Sequence, residues 1–206
     1  MRRILMDTFK IFLITAISGL LLGGVYVITK EPIAKAQAAA QEAAYRAVFA
    51  DGNEFVEFTF DRTEAEKILV DNGYTDETIE GIVEAKDASG NVLGYVLTVT
   101  TSAGFGGDIT FSVGIKNDGT VNGYSVLSMS ETAGLGEKAN KDAFKSQFKN
   151  KLVEKFILTK SGASSEEEID AITSATITST AMTNGVNASL CYMQEVLMEE
   201  GGDTNE

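Results

Sequence analysis

Residues 11–29 carry no charge at all, and that run restricts the chain more than any other feature. As a helix its nineteen residues rise about 28 Å, close to the ~30 Å hydrocarbon core of a bilayer. Inside lipid a backbone must satisfy its own hydrogen bonds, so a single segment of this length is helical. It is longer than the roughly 7–15 residues of a signal-peptide core. Ala34-Lys35-Ala36 imitates a small-x-small cleavage site, which keeps a cleaved signal as the competing reading. Against cleavage stand the length of the run, Lys30 directly after it, and the Ala-rich helical pattern that follows. Gly19 and Gly23 form a GxxxG pair, a weak sign of helix packing. Arg2, Arg3 and Lys10 against Asp7 give the first ten residues a net charge of +2, which leaves −15 for the remainder of a chain whose total is −13. The positive-inside rule then places residues 1–10 in the cytoplasm, residues 11–29 across the cell (inner) membrane and the bulk of the chain outside, as a single-pass protein. An acidic body excludes a nucleic-acid partner, whose phosphates require patches of Lys and Arg.

Residues 30–50 read as a helical spacer, because Ala recurs from Glu31 to Phe49 and Ala favours helix. Residues 51–200 read as one domain, with a frayed polar tail at 201–206. Thr63 to Asn72 forms a short helix stopped by Gly73. Strands are expected at Ile82–Lys86, Val92–Thr101, Ile109–Lys116 and Val121–Met129, with turns at Asp87–Gly90 and Asn117-Asp118-Gly119. Lys138 to Lys149 reads as a polar helix turning Ala143, Phe144 and Phe148 inward, followed by a strand at Lys155–Leu158. Ser165-Glu166-Glu167-Glu168 has the capping-box pattern, Ser at N-cap and Glu at N3, and is expected to start the turn that presents Asp170. Met182, Val186, Leu190, Met193 and Leu197 share one face of a last helix. The class is α+β: one N-terminal transmembrane helix, then an antiparallel sheet with flanking helices.

The chemistry available to such a domain is narrow. There is no His, so His-dependent hydrolysis and His-ligated zinc are out, and the single Cys, Cys191, excludes an internal disulfide or an iron–sulfur site. No metal site is expected, and any redox chemistry must come from an organic cofactor. Asp170 to Thr180 holds six Ser or Thr among eleven residues, just before the last helix. Two readings compete there: hydroxyls that cap the helix, and a helix N-terminus that receives a phosphate. Gly104, Gly106 and Gly107 are likewise open between a tight turn and a close ligand approach, and Glu131 between a solvated turn residue and a site residue.

Asp170-x-x-Thr173-Ser174-Ala175-Thr176 resembles the flavinylation signature of the FMN-binding domain family, Asp-x-x-(Ser/Thr)-Gly-Ala-(Ser/Thr). The resemblance implies that Thr176 carries FMN through a covalent phosphoester, attached by a flavin transferase that uses FAD. Ser174 stands where the family has Gly. Glu131-Thr132-Ala133-Gly134-Leu135-Gly136 is similar to the family's Glu-Thr-Pro-Gly-Leu-Gly, with Ala133 for Pro. Gly94-Tyr95-Val96 and the Gly-Phe-Gly-Gly run at 104–107 precede it in the family's usual order. By the resemblance the cofactor site comprises Glu131, Thr132, Leu135, Gly136, Asp170, Thr173, Ser174, Ala175 and Thr176, with Glu131 at the polar edge of the flavin and no independent catalytic residue.

One membrane span plus one external domain of this size is similar to the G subunits of Rnf complexes, and less closely to the C subunit of the sodium-pumping NADH:quinone reductase. This implies an electron-relay subunit of an ion-translocating ferredoxin:NAD oxidoreductase, a translocase, with the other membrane subunits as partners. Two alternatives stay open at this point: a free-standing anchored FMN carrier or reductase, and a membrane-anchored binding module without flavin.

Overall fold

The computed structural model describes residues 2–198; the tail expected at 201–206 lies outside the described residues. The chain divides into two compact units, Met1–Glu42 and Ala43–Glu206. The first is supplied by helix α1 (Arg2–Val48), which contains Pro32 and one stretch long and apolar enough to cross a membrane. The hydroxyls of Thr8, Thr15 and Thr29 donate to the carbonyls of Ile4, Ile11 and Val25 at 2.9, 3.1 and 2.9 Å, so these polar side chains are satisfied within the helix itself. The helical spacer expected after residue 29 continues this same helix.

The second unit is built on a five-stranded antiparallel sheet in sequential order: β1 (Glu54–Phe58), β2 (Glu77–Lys86), β3 (Val92–Thr101), β4 (Ile109–Lys116) and β5 (Val121–Ser128). Strands β3 and β4 occupy the residues that their alternation predicts, and β2 starts five residues earlier than expected. Helix α2 (Arg62–Asp71) begins at Asp61, whose carboxylate accepts from the backbone of Thr63 and Glu64 at 2.8 and 3.3 Å. One face of the sheet packs Leu97, Val99, Phe111, Val113 and Ile115 into the main core. Phe148 stands at its centre, edge-on to Tyr124, Phe144 and Phe156 at 5.4, 5.5 and 5.0 Å between ring centroids. The other face receives the end of α1: Tyr45, Val48 and Phe49 pack on Ala85 and Val96. Gly114 makes that approach possible, since a Cβ there would lie 2.8 Å from the Cβ of Val48.

Three local expectations fail. Residues 136–148 form a 3₁₀ turn (Gly136–Asn140), a single helical turn α3 (Asp142–Lys145) and a second 3₁₀ turn (Ser146–Phe148), in place of one helix. Phe144 and Phe148 are buried, but Ala143 is exposed, because the break at Lys141 rotates the following turn. The Ser165–Glu168 pattern does start a turn, at 166–167, that presents Asp170, but Glu168 does not cap it: it opens strand β7 (Glu168–Asp170), which pairs in parallel with β6 (Ile157–Thr159). Its carboxylate instead accepts from the N–H and hydroxyl of Ser164 at 2.6 and 2.7 Å, and these bonds hold the Glu168 pKa below the usual glutamate value.

Helix α4 (Thr176–Tyr192), continued by a π-helical turn (Met193–Leu197), is buried on more than the one expected face. Its small polar residues are accommodated inside by bonding back along the helix: Thr183 to the Ser179 carbonyl at 2.8 Å and Ser189 to that of Gly185 at 3.0 Å. Asn187 brackets Phe156, donating to its carbonyl at 2.9 Å and accepting from its N–H at 2.8 Å. The alternative would be unpaired polar groups in the core, each costing about 1–3 kcal/mol.

Glu77 gives the domain a measurable pH signature. It is buried on β2, and burial raises its pKa above 4.5, although the Thr101 hydroxyl donates to it at 3.2 Å. A raised carboxyl favours the folded state below its unfolded pKa and loses that advantage as pH rises through the folded value. Glu77→Gln is therefore expected to stabilise the protein at pH 7 and to confer less advantage as the pH falls toward 4. Denaturant midpoints of both proteins across pH 4–7 check this; a difference that grows on acidification would contradict it.

Candidate functional site

Three loops converge at the end of the sheet where β3 stops and β4 starts. The first, residues 102–108, joins these two strands and carries Gly104, Phe105, Gly106 and Gly107. The second, residues 129–135, follows β5. In it Leu135 N–H donates to the Thr132 carbonyl at 3.1 Å, closing a turn whose third residue, Gly134, has φ 75°. The third, residues 171–175, joins β7 to α4. It repeats the same device: Ala175 N–H donates to the Ile172 carbonyl at 2.9 Å, and the third residue, Ser174, has φ 66°. Left-handed backbone at that position is what Gly adopts without steric cost, which explains physically why a glycine would suit position 174. An L-residue pays about 1–2 kcal/mol there. Ser174→Gly is accordingly expected to raise stability by up to about 1 kcal/mol after the entropic cost of glycine, read as an upward shift in thermal midpoint.

Between these loops lies a cleft of about 320 Å³, within the roughly 300–1,000 Å³ range of small-molecule sites. The first loop contributes Phe105, the second Thr132, Leu135 and Gly136, and the third, with the start of α4, residues 174–178. Thr176 is the first residue of α4 and half-buried in the cleft wall. The N-cap residue is Ala175, and no side chain caps the helix. Of the two readings of the hydroxyl cluster, capping is thus not what these side chains do: Thr178 points to Glu131, and Ser179 donates to the Ala175 carbonyl at 2.9 Å while accepting from Ile172 N–H at 2.9 Å. The first N–H groups of a helix that no side chain caps, beside a cleft, suit a phosphate.

Six of the nine expected site residues line the cleft: Thr132, Leu135, Gly136, Ser174, Ala175 and Thr176. Thr173 is exposed and does not line it. Asp170 holds the preceding loop together: its carboxylate accepts from Ala163 N–H at 2.7 Å, and the Gln147 side chain bonds its backbone N–H and carbonyl at 2.7 and 3.3 Å. Glu131 stands behind the cleft, its carboxylate accepting from Gly106 N–H at 3.1 Å and from the Thr178 hydroxyl at 2.9 Å. It is half-buried, and each of its oxygens accepts one of these two internal bonds. Phe105, Ile177 and Thr178 also line the cleft, although none was singled out as a site residue in the sequence. The usable signal was the Phe set between two glycines, a large apolar residue where a loop is tightest. A second cleft of about 370 Å³ lies at the opposite ends of β3 and β4, beside Leu93 and Lys116, and contains none of the motif residues.

Sheet, converging loops and an uncapped helix at the cleft define the class to which this chain is matched: residues 104–190 fit the FMN-binding domain family. The fold is shared with NqrC of Shewanella oneidensis, with a TM-score of 0.53 at 15% identity over 77% of this chain and 88% of that one. Matches over most of the chain narrow the family. The chain is 33% identical to the G subunit of the proton-translocating ferredoxin:NAD(+) oxidoreductase complex of Clostridium ljungdahlii, over 84% of this chain and 83% of that protein. It is 30% identical to the G subunit of the ion-translocating oxidoreductase complex of Methanosarcina acetivorans, over 87% and 89%. The chain belongs to the family of G subunits of ion-translocating ferredoxin:NAD(+) oxidoreductase (Rnf) complexes.

Proposed function

We propose that this chain is the membrane-anchored flavin relay of such a complex, with FMN joined by a phosphoester to Thr176 Oγ1. The observation that carries the proposal is the start of α4, where Thr176 borders the cleft at a helix end that no side chain caps. An anionic phosphoester at a helix N-terminus gains about 0.3–1 kcal/mol, more where partly buried. Gly136 and Ala175 have small side chains or none, so the backbone itself can border the ligand, and Thr132 offers a hydroxyl. Leu135, 41% exposed, and Ile177, 54% exposed, offer apolar surface that a flat ring system would cover.

FMN supplies one- and two-electron transfer when bound; the chain's part is to hold it, orient it and limit its contact with water. A Thr hydroxyl is a weak nucleophile, and a chain without His offers no imidazole to activate it, so loading depends on a separate flavin transferase. Covalent attachment suits a domain outside the membrane, where free FMN would be lost by dilution. That orientation follows from the net +2 of residues 1–10. Arrival and departure of electrons then require the other membrane subunits, and export of an ion is the task of the assembly as a whole.

Purification of the tagged chain from its native membranes in mild detergent tests the proposal. The expected result is a flavin-fluorescent band on a denaturing gel, accompanied in the native preparation by multispan membrane subunits. A fluorescent chain that purifies alone would favour a free-standing carrier, and a dark band would remove the covalent flavin.

A further inference from the structure

Phe105 is 68% exposed on a loop that the fold nevertheless holds down firmly. A Cβ on Gly104 would lie 2.2 Å from the Gly107 carbonyl oxygen, and one on Gly106 would lie 2.2 Å from that of Ser130. The backbone on both sides of the ring is therefore seated closely, while the ring itself is left out, facing the cleft that Thr176 also lines. Folding alone does not account for this arrangement, since a buried Phe gains about 1.5–3 kcal/mol that this one largely forgoes. What seats the loop is Glu131. One carboxylate oxygen accepts from Gly106 N–H at 3.1 Å, the other from the Thr178 hydroxyl in the first turn of α4 at 2.9 Å.

We propose that Phe105 is the aromatic wall against which the ring system of the flavin lies, and that Glu131 is the positioning residue that sets this wall relative to Thr176. The inference rests on the reading of Thr176 as the FMN attachment point. Glu131 acts through the protein, one oxygen on each side clamping the loop that bears Phe105 to the turn that bears the flavin. A flavin is a flat π-system, and an aromatic ring stacks on it in offset or edge geometry. The two flanking glycines let the loop backbone press against Gly107 and Ser130, where any side chain would collide, and so fix the position from which the ring projects.

The experiment uses the full-length chain loaded by the transferase, as wild type and as Phe105→Ala, Phe105→Tyr, Glu131→Gln and Thr178→Val. Covalent flavin is quantified on a denaturing gel, and every native-state reading is normalised to it. In the native state Phe105→Ala is expected to raise flavin fluorescence and its quenching by iodide by about two- to tenfold, the population change that one aromatic pair governs. Phe105→Tyr should retain wild-type values. Glu131→Gln keeps one acceptor oxygen for two donors, so fluorescence and midpoint potential should move in the direction of Phe105→Ala. Hydrogen exchange at Gly106 N–H should accelerate by about five- to tenfold. Thr178→Val removes one arm of the clamp only, with a smaller shift in the same direction, and serves if Glu131→Gln fails to fold. Loaded Phe105→Ala with unaltered fluorescence, quenching and potential would overturn the wall. Clamp variants that change stability but none of these spectroscopic readouts would overturn the role of Glu131. A dark wild-type band would overturn the attachment on which both depend.

Discussion

Thr176→Val should abolish covalent flavin completely while leaving the fold intact. Valine replaces one oxygen by a methyl group at nearly constant volume, and β-branching is retained. Thr176 is the first residue of α4 and half-buried, and the cap position before it is filled by Ala175, so its hydroxyl has no part in ending the helix. The stability change is expected to stay within about 0.5 kcal/mol, since the near-isosteric swap removes no cap and leaves no cavity. The flavin change is all-or-none, because without an oxygen at that atom no phosphoester can form. Thr176→Ser keeps the hydroxyl and should load, though to a lower level, since serine holds its rotamer less firmly. The measurement is in-gel flavin fluorescence after expression with the transferase, beside the thermal midpoint of each protein. A fluorescent valine variant would move the attachment to another hydroxyl of the cluster.

Gly136→Ala should destabilise the site by displacing two side chains at once. A Cβ at that position would lie 2.2 Å from Glu131 Oε2, 2.9 Å from its Cδ and 2.6 Å from Thr178 Oγ1. The carboxylate must swing away, which releases Gly106 N–H and the Thr178 hydroxyl together. Hydrogen bonds to a charged group contribute about 1.5–3 kcal/mol each, and overpacking alone costs about 1–3 kcal/mol. A net loss of roughly 2–4 kcal/mol follows, or a fall in thermal midpoint of order 10 °C for a domain of this size. The cause can be isolated by a double-mutant cycle. Beside Glu131→Ala, where no carboxylate remains to collide, Gly136→Ala should cost much less than it does alone. Additive costs would show that the clash is elsewhere.

Legibility from sequence followed distance along the chain. Strands β3 and β4 were readable because alternation and the Asn117-Asp118-Gly119 turn act over a few residues. The start of β2 was not, since Glu77 and Ile79 are drawn into the sheet by pairing with Thr101 and Val99. The helix expected at 138–149 is interrupted at Lys141, whose backbone is extended, while the i, i+4 pair Phe144 and Phe148 still reaches the core together as the pattern predicts. Glu168 looked like a capping residue, yet β6 offered it a parallel partner instead.

In the site the same division holds. Sequence alone determined that one segment is apolar enough to span a bilayer and that any redox chemistry would be borrowed from an organic cofactor. Both depend on composition or on neighbours within one turn, whereas flavin itself was implied by the resemblance of two loop motifs to a known family. Only the tertiary structure decided that Ala175, and not one of the surrounding hydroxyls, would occupy the cap position, that Glu131 would face inward, and that Phe105 would line the cleft with Thr176. The reason is the separation of the partners. Glu131 reaches Gly106 across 25 positions and Thr178 across 47, and no local preference specifies which of several donors a carboxylate will meet once the sheet has brought them together.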